Sequence, residues 1–116
     1  MDRLSDDAMD RAIAALTRAA QLAADRDALV VAVATSAVRE ASNSEKFLRR
    51  AEDEAGVTIE VISGLEEARL IHLGVLAALP VFDQPHALID IGGGSTEVLF
   101  VLTLCGQHWY DRIPTF

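Results

Sequence analysis

The sequence predicts an α/β fold, and three observations carry that prediction. Residues 28–34, ALVVAVA, form a continuous valine-rich run of the kind found in parallel strands covered on both faces. Stretches with apolar residues at helical spacing stand on either side of it and again further on. Towards the C-terminal end, Gly92, Gly93 and Gly94 separate two apolar stretches and read as the turn of a closing β-hairpin. The predicted order is helix, strand, helix, strand, helix, strand, turn, strand, an alternating pattern with right-handed crossovers.

The first helix is expected from about residue 6 to residue 24. Ser5 can cap its free amides, Asp6 and Asp7 suit the positive end of its dipole, and Met9, Ile13, Leu16 and Ala20 form one apolar face. The run at 28–34 follows as a central strand. Residues 35–42 make a polar connection, after which Asn43 or Ser44 caps a second helix to about Ala55, buried through Phe47, Leu48, Ala51 and Ala55 and stopped by Gly56. Residues 58–62 alternate apolar and polar, as in a strand nearer an edge. Ser63 and Glu66 then have the spacing of a capping box, which starts a third helix running to about Leu79. Residues 87–91 and 97–104 are the last two strands, and 105–116 show no period and receive no assignment.

At 116 residues the chain is expected to be one domain or part of one, with a real core. Eighteen acidic against 10 basic residues give a formal charge of -8, which argues against nucleic acid or an anionic membrane surface as partner. That charge also requires local cations wherever a phosphate is held. The N-terminus lacks the order of a signal peptide, the longest apolar runs are far too short for a bilayer, and Cys105 is a lone cysteine; a cytoplasmic protein is the expectation.

The chemistry gathers at residues 90–97, DIGGGSTE. Three adjacent glycines permit positive φ and close approach of backbone amides to a phosphate, and Ser95 and Thr96 add hydroxyl donors. No Lys follows the glycines, and the next segment reads as strand, so this is not a Walker turn. Asp90, at the end of an apolar strand, either meets a cation such as Mg²⁺ or caps the amides of its own turn. On the third helix, Glu66 is accounted for by the capping box, whereas Glu67 has no structural task and is a candidate general base or a solvated first-turn glutamate. Arg39 lies in the connection after the first strand, at the carboxyl end where α/β folds place ligands, though a plain surface arginine fits as well. His72 reads as a packed histidine. His86 and His108 have no partner at metal spacing, and none of the three is taken as a site residue.

Residues 33–48, VATSAVREASNSEKFL, residues 61–75, VISGLEEARLIHLGV, and residues 88–100, LIDIGGGSTEVLF, occur in the order and spacing of the exopolyphosphatase and guanosine pentaphosphate phosphohydrolase (Ppx/GppA phosphatase) family, which the chain resembles over about residues 3–102. The resemblance implies a partial actin-like ATPase-domain fold, as in actin, Hsp70 and sugar kinases, with a ribonuclease H-like core. Residues 3–104 would be part of the N-terminal lobe and 105–116 a divergent tail. It implies that Gly92, Gly93, Gly94, Ser95 and Thr96 hold phosphate, that Asp90 and Glu97 lie near Mg²⁺ and water, that Glu67 activates the attacking water, and that Arg39 lies near the substrate phosphates.

The implied reaction is Mg²⁺-dependent attack of water on a terminal phosphoanhydride of inorganic polyphosphate or of guanosine pentaphosphate, pppGpp, with intact family members forming a homodimer. The family's first phosphate turn, of the form D-x-G-S-N-S, has no counterpart before Ser5, and the second lobe has none after Leu102. The isolated chain is therefore expected to have little or no activity and to self-associate through an exposed sheet edge. The competing readings are a non-catalytic phosphate- or partner-binding remnant and an actin-fold kinase or ATPase. The sequence does not choose between polyphosphate and pppGpp.

Overall fold

The computed structural model describes residues 3–79, 84–92, 96–104 and 107–113, of which 96, 97, 102–104 and 107–113 are described by their backbone. The chain is mixed α/β and divides into two compact units, residues 1–62 and 63–116.

The first unit is built on a helix pair. Helix α1, Asp6–Ala24, begins where Ser5 accepts a hydrogen bond from the Ala8 amide, and it carries Asp6 and Asp7 in its first turn. It ends with the Ala28 amide donating to the Ala23 carbonyl and the Asp27 amide to the Ala24 carbonyl. Asp27 takes the left-handed conformation, φ 51°, that lets the chain turn away, a role an aspartate fills better than most non-glycine residues. Helix α3, Ser44–Ala55, stops at Gly56, whose φ of 64° has no steric cost without a Cβ. Met9 and Ile13 of α1 meet Phe47 and Ala51 of α3 in a fully apolar cluster, with Leu4, Ala12, Leu16, Val38, Leu48 and Ile59 packed around it. Outside this seam the helices are laced by Lys46 to Asp6 at 2.6 Å and Arg50 to Asp10 at 2.8 Å. Exposed pairs of this kind add little beyond orientation.

Asn43 departs from its expected task. It occupies the position before α3 but makes no capping bond with its side chain. Its carboxamide instead accepts from the Leu4 amide and donates to the Leu4 carbonyl, both at 2.9 Å, tying the start of the chain to the start of α3.

The strand at 28–34 is corrected in length and in setting. Strand β1 is three residues, Ala32–Ala34, paired in parallel with β2, Ile59–Val61, in the register Ala32 to Ile59 through Ala34 to Val61. Leu29 and Val31 are 95% and 87% exposed, so the run is not covered on both faces. Valine-rich composition records a demand for burial; it does not supply the element that meets it, and among the described residues β1 has one strand partner. An open apolar groove of about 510 Å³ lies beside it, lined by Ala12, Leu16 and Ala19 of α1 together with Val33 and Val38. An exposed, apolar, half-paired edge invites pairing with a second chain. The purified protein should therefore show concentration-dependent association by light scattering, and Val31→Lys should shift it towards monomer. A native chain that stays monomeric at millimolar concentration would show that the edge is harmless.

The connection at 35–42 contains a short helix, α2, Ser36–Arg39, so Arg39 lies on a helical turn and not in an irregular loop.

The second unit begins with helix α4, Gly64–Ala78, followed by β3, His86–Ile91, β4, Thr96–Leu104, and β5, Gln107–Ile113, in an antiparallel sheet of order β3-β4-β5. Strand β5 corrects the unassigned tail: Gln107 to Ile113 pair with Val98 to Leu104. Its mixture of charged, aromatic and apolar residues has no clean period, and pairing along the long β4 supplies what periodicity does not. The two sheets are separate among the described residues, where the sequence order suggested one.

Opposed residues of an antiparallel pair share a face. Leu88, opposite Leu99, and His86, opposite Val101, therefore lie on one side of the sheet. Leu99 and Val101 pack there with Ala68 of α4, and Leu88 packs against the cluster. The other side carries Ala87, Ile89, Ile91 and Phe100, all exposed.

Candidate functional site

The start of α4 is fixed by Ser63, which accepts from the Glu66 amide at 3.2 Å, the serine half of the predicted capping box. Glu66 turns both carboxylate oxygens to Arg69, at 2.7 and 2.8 Å. That hydrogen-bonded guanidinium holds its carboxyl below the ordinary glutamate value. A carboxylate engaged in this way is a poor proton acceptor. The next residue, Glu67, is half-buried and its amide donates to the Ser63 carbonyl at 2.9 Å, so the first turn of the helix holds its backbone.

Helix α4 buries Gly64, Ala68, His72 and Leu76, a stripe at intervals of four residues. His72 reaches His86, while Ala68, one turn earlier, lies in one cluster with Leu99 and Val101, the residues opposite Leu88 and His86. Glu67 and Asp90 both belong to this unit, on α4 and β3.

The glycine segment connects β3 to β4. Asp90 is half-buried, on the α4 side of the strand, and is the register partner of Glu97. Ile91 pairs with Thr96, and Gly92 is exposed beyond the last rung. Gly93, Gly94 and Ser95 lie outside the described residues, and of Thr96 and Glu97 the backbone is given. Carboxylate is the ligand type that a hard cation such as Mg²⁺ takes, so the residue types at these two register positions are compatible with one. Among the described residues there is no group of three or more His, Cys, Asp or Glu that could hold a metal.

Arg39 belongs to the first unit. Its guanidinium donates to the Ile62 carbonyl at 2.8 Å, just past the end of β2, and the Ile62 amide donates to the Ala34 carbonyl at 3.0 Å. Arg39 is thereby tied to the carboxyl ends of both parallel strands, the edge at which such sheets take ligands.

Sequence reasoning missed the pairing of His72 with His86, whose Nε2 atoms are 3.0 Å apart. The two are fourteen residues apart, on a helix and a strand, and no spacing rule connects them. No helix among the described residues is long and apolar enough to cross a membrane.

The model of the Ppx/GppA phosphatase family matches residues 1–104. The Aquifex aeolicus member of that family is 33% identical, with a TM-score of 0.75 over 97% of this chain and 37% of its own. An exopolyphosphatase from Cytophaga hutchinsonii is 34% identical, with a TM-score of 0.84 over 96% of this chain and 36% of its own. An exopolyphosphatase-like protein reaches 40% identity over 84% of this chain and 31% of its own, with a TM-score of 0.73. The chain thus spans about a third of the length of these solved relatives. With the family model matched along residues 1–104 and solved relatives a third identical over nearly the whole chain, this chain belongs to the Ppx/GppA phosphatase family.

Proposed function

We propose that the second unit carries part of a site that hydrolyses terminal phosphoanhydride bonds, with inorganic polyphosphate or pppGpp as substrate. The observation that carries this reading is the placement of Asp90 opposite Glu97 on the two strands that the glycine segment joins, in the unit whose first helix carries Glu67. The Cytophaga relative is an exopolyphosphatase, which supports the polyphosphate arm.

In this reading Gly92, Gly93 and Gly94 present backbone amides to the phosphate, with Ser95 and Thr96 adding hydroxyls. Glu67 takes the proton of the attacking water, and Asp90 with Glu97 would hold Mg²⁺, directly or through water. Bound there, the ion would neutralise charge on the phosphate oxygens as the bond to the leaving phosphate breaks. Arg39 adds a further positive charge near the substrate. Residues 3–104 form part of the N-terminal lobe of an actin-like, ribonuclease H-like fold, with 105–116 divergent from the family, and the protein works in the cytoplasm.

Because the chain spans about a third of its solved relatives, the 116-residue protein is expected to bind phosphate while turning over slowly or not at all. Pyrophosphate with Mg²⁺ should shift the amide resonances of residues 90–97 saturably. Absence of any shift at millimolar pyrophosphate would remove the phosphate reading. Rapid phosphate release from polyphosphate by the chain alone would overturn its expected inactivity.

A further inference from the structure

His72 is completely buried, on a helix whose other buried residues are Gly64, Ala68 and Leu76. Small and apolar side chains hold a helix on a sheet without direction, since burial rewards area and is indifferent to a slide of one turn. Three large apolar residues of α4, Leu65, Leu70 and Leu73, are exposed. A hydrogen bond, by contrast, has a required distance and angle.

The His72 and His86 Nε2 atoms are 3.0 Å apart and their ring centroids 5.2 Å apart. The difference is close to two centroid-to-nitrogen radii, so the nitrogens point head-on at one another, as an N–H···N bond requires. The proton positions follow from chemistry. Nδ1 of His86 lies 2.8 Å from the Gln84 carbonyl, which can only accept, so Nδ1 carries the proton. With Nδ1 as its one protonated nitrogen, His86 presents a lone pair at Nε2 that can accept the Nε2–H of His72. One directional bond, its tautomers set by a backbone carbonyl, joins α4 to β3.

We infer that His72 is a positioning residue: its bond to His86 sets the register of α4 on the sheet, and so the place of Glu67 relative to Asp90. The inference rests on the reading of Glu67 as the base. His72 follows Glu67 by five residues on one helix, and His86 precedes Asp90 by four on one strand, so a slip at the histidines is carried to the carboxylates with little loss.

The test uses the 116-residue chain labelled with ¹⁵N and ¹³C. A scalar coupling between the two Nε2 nuclei is expected, with His86 protonated at Nδ1 and His72 at Nε2. No coupling, or a His86 unprotonated at Nδ1, overturns the inference whatever the protein does with phosphate. Two variants then separate register from packing. His72→Gln keeps an N–H donor and should retain the Ala68 to Leu99 methyl contacts, together with any response of the Glu67 carboxyl to Mg²⁺ and pyrophosphate. His72→Leu, more apolar but without a donor, should broaden or lose those contacts. The reverse order would make His72 a packing residue and overturn the inference. A coupling present in a chain whose Glu67 never responds to pyrophosphate supports the clamp and counts against the proposed function instead.

Discussion

Glu67→Gln is expected to slow phosphate release about 10²- to 10⁴-fold, the usual contribution of a general base, with little change in KM. Because the chain spans about a third of its relatives, the measurement is best made in a chimaera in which residues 1–104 replace the matching stretch of the Cytophaga exopolyphosphatase. Glutamine keeps the size and the hydrogen-bonding reach of the side chain and removes its ability to take a proton. The neighbouring Glu66→Gln is the control: Glu66 is held by Arg69, and its loss should cost a few-fold at most. Equal effects at the two positions would mean that charge at the start of α4, and not a base, is what matters. An active chimaera indifferent to Glu67→Gln would move the base elsewhere. A chimaera that binds pyrophosphate and never hydrolyses polyphosphate would favour the non-catalytic reading.

The second large effect is on stability. Phe47 is the bulkiest member of the cluster joining α1 to α3, and Phe47→Ala should cost about 3–5 kcal/mol through lost burial and the cavity left behind. A unit of this size is held by only about 3–9 kcal/mol on a per-residue basis, so the variant should lose a third or more of that stability and unfold at a much lower urea concentration. Phe47→Leu should cost less than about 1.5 kcal/mol if the neighbours close in. Urea unfolding followed through the amide signals of both helices measures each. A Phe47→Ala midpoint unchanged from native would show that the α1 to α3 seam is not what holds the unit.

The helices were the most legible part of the chain, for physical reasons. Ser5, Gly56 and Ser63 act on backbone within a turn of themselves, so their effect is written locally, and all three do what their residue types promise. Strands depend on partners. The run at 28–34 announces burial, yet three of its seven residues are strand, because the sequence of one segment cannot state what lies beside it. Strand β5 fails in the opposite direction, being ordered by β4 and not by its own pattern. At the site, capping logic set Glu66 apart from Glu67, but the Glu66 carboxylate accepts from Arg69 one turn on, so only the serine half of the expected capping box is formed. What sequence could not show was the placing of Asp90 opposite Glu97, which is a matter of register, or the joining of His72 to His86, which is a matter of how a helix lies on a sheet.

The Asn43 carboxamide has a consequence for time as well as for shape. Amides just ahead of a helix have no partner within it and ordinarily exchange with solvent almost as fast as in an open peptide. The Leu4 amide is instead held by a side chain 39 residues away, and it is released only when the start of α1 parts from the start of α3. Its deuterium uptake is thus a clock for the opening of the first unit, readable at one resonance near the N-terminus.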